Sequence, residues 1–246
     1  MTTDKRRNYL GFLSLFISAI VISSPLTANE LDSKNKSALV PTFQQSLLTQ
    51  KHNSSKIAKL DVAKTAQNEV NNYFVQAVSK IDNLLFTQQK TLKLEPLKLN
   101  EFVNAELLPL WNSERTLKQL LGRSKWKALT AKEVDRLKQI FAQTMHRYIN
   151  EGMKFYDGQR IKLSSVKLNK AQTKGIATIE ISPIYLPAFK ISFKIFKSDD
   201  QWQLYDILVE GISYVKMKKN EYRRIAEQQG VDKLIAYLDE KNTPSK

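Results

Sequence analysis

Between Thr65 and Leu85 the apolar residues Val70, Phe74, Ala77, Val78, Ile81, Leu84 and Leu85 recur at intervals of three and four, which predicts an amphipathic helix. Pro96 breaks the stretch from Thr91 to Leu99. A second helix is expected from about Asn100 to Leu108, stopping near Pro109. A third opens at Ser113 as N-cap, carries the stripe Leu117, Leu120 and Leu121, and closes at Gly122. Thr130 and Glu133 then have capping-box spacing, and Leu129 and Val134 occupy the two positions of a hydrophobic staple. The long helix they open carries Val134, Leu137, Ile140, Phe141, Met145, Tyr148 and Ile149 on one broad face, wide enough to face a core.

After Asp157 and Gly158 the period shortens to two. Strands are expected at Ile161 to Leu168, Gly175 to Ser182, Lys190 to Phe196 and Trp202 to Val209. The connectors Asn169 to Lys174 and Lys197 to Gln201 are short and polar, so neighbouring strands run antiparallel. Ile191, Phe193 and Ile195 alternate with Lys190, Ser192 and Lys194, and Ala177, Ile179 and Ile181 with Thr178, Glu180 and Ser182. One sheet face is therefore apolar and the other wet. A last long helix carries Val215, Tyr222, Ile225 and Ala226 and stops near Gly230; a shorter one carries Leu234, Ile235 and Leu238. Helices followed by strands define an α+β protein: helices packed on one face of a curved four-stranded antiparallel sheet.

The N-terminus changes this picture. Lys5, Arg6 and Arg7 precede an apolar run from Leu10 to Ile22, too short for the roughly 20 residues of a bilayer-spanning helix but matching the core of a secretory signal, with small residues at Ser23, Ser24 and Ala28. We read residues 1–28 as a signal peptide cut after Ala28, an uncleaved anchor being the alternative. Residues 29–60, rich in Ser, Asn, Gln and Lys, read as a flexible leader, 61–240 as the folded domain and 241–246 as a polar tail. With 246 residues there is chain enough for one core, and an exported domain of this size needs no disulfide; it has no cysteine. The net charge of +15 stays strongly basic once Lys5, Arg6 and Arg7 are removed. In an exported protein this points to anionic lipid headgroups and envelope surfaces, not nucleic acid.

Candidate chemistry is sparse. Without cysteine, thiol catalysis and zinc–thiolate sites are excluded. The only histidines are His52, in the leader, and His146, which helical spacing turns away from the apolar stripe towards the surface. No metalloprotease, phosphate-loop or dinucleotide motif occurs. Asp206, among apolar neighbours, is the one acid with catalytic interest; a structural hydrogen bond to backbone is its other reading. Asp199 and Asp200 read as turn residues. What remains is apolar surface in excess: two helical stripes and a one-sided sheet, enclosing either a pocket or a closed core.

The C-terminal part is recognisable. Trp202, Tyr205-Asp206 and Val209-Glu210-Gly211-Ile212-Ser213, followed by a helix with Glu221-Tyr222 and then Gly230, Leu234-Ile235 and Leu238, resemble the MlaC (toluene-tolerance) family. Leu108-Pro109, Leu121-Gly122-Arg123, Trp126 and Thr130, leading into a helix with Phe141 and Tyr148, look like the middle of that family, so the likeness runs from about Val62 to Leu238. The chain departs from it at Trp111-Asn112, where the family has an acidic-aromatic pair, and at Lys218-Lys219, where it has Tyr-Arg.

The resemblance implies a nuclear-transport-factor-like fold with an apolar cavity, no cofactor, no metal and no enzymatic activity. It implies a soluble periplasmic carrier that shuttles phospholipid between an outer-membrane lipoprotein–porin complex and an inner-membrane ABC transporter with a ring-forming substrate-binding subunit, maintaining outer-membrane asymmetry. On that reading the lipid tails meet Leu107, Leu120, Phe141, Met145, Ile149, Ile179, Ile181, Ile191, Phe193, Ile195, Tyr205 and Ile207, while Lys216, Lys219, Arg223 and Arg224 contact the headgroup or a partner. A non-lipid envelope assembly factor, or an enzyme on the same fold using Asp206, are the alternatives.

Overall fold

The capping box forms as the sequence predicts: Thr130 Oγ1 accepts the Glu133 N–H at 3.3 Å, and the Glu133 carboxylate accepts the Thr130 N–H at 2.7 Å. It starts the longest helix on which side chains are described throughout. The computed structural model describes residues 43–184 and 187–243, with side chains described from residue 64 onward. The predicted signal peptide and residues 29–42 of the predicted leader lie outside the described residues.

In chain order the helices are α1 (Phe43–Thr87), α2 (Gln89–Leu94), α3 (Pro96–Phe102), α4 (Ser113–Leu121), α5 (Arg123–Lys127) and α6 (Ala131–Met153), then α7 (Tyr214–Gln228) and α8 (Val231–Asn242) after the sheet. α2 and α5 were not expected, the helix expected from Asn100 to Leu108 is α3 followed by a π-helical turn, and three helices begin differently from expectation. α1 starts at Phe43, so its backbone runs through the end of the segment read as leader. Pro96 starts a helix instead of only breaking one: in the first turn its missing N–H costs nothing. α4 is capped by Asn112 in place of Ser113, the Asn112 Oδ1 accepting the Arg115 N–H at 2.7 Å. Between α3 and α4 the chain passes through a π-helical turn, Val103–Leu107, and a 3-10 turn, Leu108–Leu110.

The sheet is a meander of β1 (Arg160–Leu168), β2 (Lys174–Ser182), β3 (Phe189–Ser198), β4 (Gln201–Val209) and β5 (Ile212–Ser213), antiparallel throughout. It has five strands, not four. The fifth pairs only Leu208 with Ser213 and Val209 with Ile212, too short for a periodic signal. Register places Ile161, Ile181 and Ile191 beside Val209 at one end of the apolar face, and Val166, Ala177 and Ile195 towards the other.

α1 lies across β1. Its Val70 and Phe74 pack on Val166, Ala177, Ile195 and Trp202. Asp82, buried in the same helix, accepts the Ile161 N–H at 2.7 Å and three hydrogen bonds from the Arg160 guanidinium at 2.5, 3.0 and 3.2 Å. This forked ion pair fixes the angle of helix to strand. α4, α6, α7 and α8 form a separate helical core around Leu117, Leu120, Leu137, Phe141, Ile225 and Leu234.

Candidate functional site

The apolar interior is divided, and the division defines the site. Ile181, Ile191 and Val209 form a cluster with Ile161, Ile179, Phe189, Phe193 and Ile207, all of them strand residues. Among the described residues no helix side chain belongs to this group. It joins the helical cores at its margins only: Ile207 on β4 packs against the core of α4, α6, α7 and α8, and Ile161 on β1 against a cluster of Leu85, Leu92, Leu99, Phe102, Val103, Met153 and Tyr156. A domain ordinarily has one main core with smaller satellite clusters, and this strand cluster is a satellite between two helical ones. Here β2 and β3 carry a strand cluster flanked by two helical ones, the floor and walls of a candidate trough.

α6 runs from one wall to the other, since its Leu137, Ile140, Phe141 and Met145 belong to the first and its Ile149 and Met153 to the second. Such a trough can take a long apolar ligand lying along the sheet. Floor and walls offer it only dispersion and shelter from water.

The twelve residues expected to touch lipid tails fall into three groups. Ile179, Ile181, Ile191, Phe193 and Ile207 lie on the floor, and Leu107, Met145 and Ile149 are half-buried on the walls. Leu120, Phe141 and Ile195 are wholly enclosed in packed clusters, with at most 1% of their surface exposed, and are framework behind the trough. Tyr205 stands apart. The register between β3 and β4 shifts after Lys194, so strict alternation fails there, and Tyr205 lies edge-on to Phe196 at 5.6 Å, with the Arg115 guanidinium 4.8 Å above its ring.

The basic residues expected at a headgroup or partner also divide. Lys216 and Arg224 are exposed on α7 and Lys219 is half-buried. Arg223 has a packing role: its Nε donates to the Leu121 carbonyl at 3.3 Å, closing the end of α4, and its guanidinium lies against Gly122, whose φ of +83° suits glycine.

Asp206 is fully buried and engaged. Its carboxylate accepts hydrogen bonds from Ser213 Oγ at 2.6 Å, Lys194 Nζ at 2.7 Å and the Val215 N–H at 3.1 Å. Ser213 in turn accepts the Lys216 N–H at 3.0 Å as N-cap of α7. His146 is half-buried, which corrects the surface position expected for it. Its Nε2 lies 2.9 Å from Asn104 Oδ1 in the π-helical turn, its Nδ1 is buried without a partner, and desolvation lowers its pKa. Tyr214 and Tyr222, with hydroxyls 3.2 Å apart, are raised well above the ordinary phenol range, chiefly by burial. Among the described residues no three His, Cys, Asp or Glu side chains are grouped to hold a metal ion, and no helix is long and apolar enough to cross a membrane.

Sequence reasoning missed Asp82, Arg160 and Tyr156. The first two, 78 residues apart, lack any local pattern. Tyr156 follows α6 among Gly, Asp and Lys, where an aromatic residue carries no period.

An antiparallel sheet with an apolar cluster of its own between two helical cores defines a class: an α+β protein with an apolar candidate site. The sequence profile described as MlaC protein matches residues 75–240, well over half of the chain, and the chain belongs to that family. It is similar to the intermembrane phospholipid transport system binding protein MlaC of Haemophilus influenzae, with 24% identity over 192 residues, 73% of this chain and 86% of that one. Its fold is similar to that of a phospholipid-binding protein of Ralstonia solanacearum solved in complex with a phospholipid, with a TM-score of 0.58, 20% identity, and coverage of 72% of this chain and 96% of the other.

Proposed function

We propose that this protein is a soluble periplasmic phospholipid carrier, exported by a cleavable signal peptide, that shuttles lipid between an outer-membrane lipoprotein–porin complex and an inner-membrane ABC transporter with a ring-forming substrate-binding subunit. Its role is to maintain outer-membrane lipid asymmetry; it is not an enzyme and needs no cofactor. The observation that carries this reading is the separate apolar cluster of Ile179, Ile181, Ile191, Phe193 and Val209, to which, among the described residues, only strands contribute. Family membership supports it, as do the relatives named for phospholipid binding.

The work of such a carrier is shielding. At about 0.8 kcal/mol per methylene, two acyl chains of roughly 30 methylenes together forfeit on the order of 20 kcal/mol on entering water. A trough of isoleucine and phenylalanine removes most of that barrier and leaves bilayer and carrier near balance. Net direction then comes from differential affinity at the two docking sites or from the transporter's energy supply. Asp206 does not favour an enzymatic reading, because its carboxylate already accepts three hydrogen bonds inside the fold.

The test is to purify the protein from the periplasm without detergent, extract it with organic solvent, and identify the extract by mass spectrometry. Stoichiometric phospholipid is the expected result and names the cargo. A clean extract from folded protein overturns the carrier and leaves an envelope assembly factor as the better reading.

A further inference from the structure

α2 ends at Leu94 and α3 begins at Pro96, so the chain turns a sharp corner at Glu95. On either side of it Leu94 and Leu97 are 69% and 77% exposed, an unusual position for leucine. The corner is held from beneath. Leu92 and Leu99 are buried with Tyr156 and next to Ile161 in the second wall of the trough, and Lys93 Nζ donates to the Tyr156 carbonyl at 2.8 Å.

Two more exposed apolar side chains belong to the same end of the molecule. Phe86, 50% exposed, lies 4.7 Å from the Arg160 guanidinium; Arg160 pairs across the sheet with Ser182, and Ile184, 67% exposed, follows two residues later. The strand cluster lies at this end too, because Ile161 pairs with Ile181 and Ile191 with Val209. Exposed apolar surface, the strand cluster and the second wall thus meet at Ile161.

We infer that this end is a portal that seats in the interface of an anionic phospholipid bilayer, with Leu94 and Leu97 as its points of insertion. The inference rests on the carrier reading and specifies where lipid enters. A bilayer is the occupant because the leucines protrude. A fluid interface closes around projecting side chains, whereas a protein partner needs a preformed socket for them. In the same stretch Lys90, Lys93 and Lys98 are exposed beside Glu95 and Glu101, with Lys98 paired to Glu101 at 2.9 Å. Lys93 is held by the Tyr156 carbonyl and Lys98 by Glu101, so Lys90 is the lysine whose long stem would carry charge to headgroups while the leucines lie deeper.

The protein has no cysteine, so Leu97→Cys carries a single environment-sensitive nitrobenzoxadiazole dye. Lys170→Cys, on the β1–β2 turn at the far end of the sheet, carries the reference dye. On adding vesicles of equal parts phosphatidylcholine and phosphatidylglycerol, the emission at position 97 shifts to the blue and rises about threefold or more, as for a dye entering the acyl boundary, while that at 170 stays unchanged. No shift at 97, or equal shifts at both, overturns the portal. The joint variant Leu94→Asp with Leu97→Asp changes two largely exposed side chains, and it should slow lipid uptake from these vesicles by about tenfold with unfolding little changed. Unaltered uptake overturns the portal as well. Extraction of the same preparation separates the two readings: bound phospholipid without a dye shift keeps the carrier and rejects the portal, and a dye shift on protein that never holds lipid does the reverse.

Discussion

The Asp206 carboxylate accepts the backbone N–H of Val215 at 3.1 Å, tying the middle of β4 to the first turn of α7. The same carboxylate holds Ser213 Oγ and Lys194 Nζ, so one buried acid organises a cap, a strand pair and a helix start. Asp206→Ala leaves the Val215 N–H and Ser213 without their acceptor and is expected to cost about 3–5 kcal/mol in urea unfolding. Asp206→Asn keeps an acceptor for Val215 and lets the partly exposed Lys194 turn to water, so its cost is about 1–2 kcal/mol. Equal, negligible losses in both would remove Asp206 from its structural role.

Phe193 and Phe141 are both aromatic and both point inward, yet the trough separates their effects. Phe193 is half-buried on the floor, so Phe193→Glu empties the protein of phospholipid with a modest change in unfolding midpoint. Phe141 is packed on every side, and Phe141→Ala costs about 3–5 kcal/mol. Lipid mass spectrometry beside thermal unfolding decides. Retention of full lipid by Phe193→Glu would take the floor out of the binding site.

The strands and the longer helices were legible because their apolar period is local, whereas the short α2 and α5 carry too few residues to show one. β1 to β4 begin and end within two residues of the expected bounds, and the capping box marks the start of α6. The trough was legible only as an excess of apolar faces. Which of them meet depends on a contact such as Asp82 with Arg160, and nothing near either residue announces it. Tyr205 shows the limit of alternation: one shift of register turns a side chain that the period of two assigns to the floor. Phe141 and Leu120 show another, since a stripe reads the same whether it packs against helix or faces a ligand.

Burial lowers the His146 pKa, so the ring is neutral in the folded protein where the unfolded chain is already protonated. The unfolded state then binds more protons, and stability falls as pH drops from the ordinary value of about 6.5 towards the folded pKa, below which the loss levels off. The measurement is unfolding in urea from neutral pH to pH of about 5, taken as the difference between the protein and His146→Gln. The protein should lose stability relative to the variant on acidification. A gain would mean that His146 is stabilised as imidazolium.

On α7, Arg223 and Arg224 are neighbours with different work. Arg223→Ala frees the Leu121 carbonyl and should lower stability by about 1 kcal/mol. Lys216→Glu with Arg224→Glu, both exposed, should leave unfolding unchanged while weakening association with an anionic surface, an effect that disappears at high salt. Vesicle cosedimentation at two salt concentrations reads this. Identical behaviour of the double variant and the parent protein would remove α7 as a headgroup or partner contact.

Tyr156 tests whether the second wall meets the polar end of a lipid. It is buried in the wall beside Ile161, its hydroxyl has no hydrogen-bond partner, and burial together with the nearby Asp82 pushes its pKa to about 12. A buried donor without an acceptor costs about 1–3 kcal/mol, which an ester carbonyl of a bound phospholipid would recover. Tyr156→Phe removes the unpaired hydroxyl. It should therefore leave delipidated protein equally or more stable, and lower lipid retention by about fivefold or more against competing vesicles. The opposite pattern, destabilised empty protein with undiminished retention, would mean that the hydroxyl serves the fold and not the cargo.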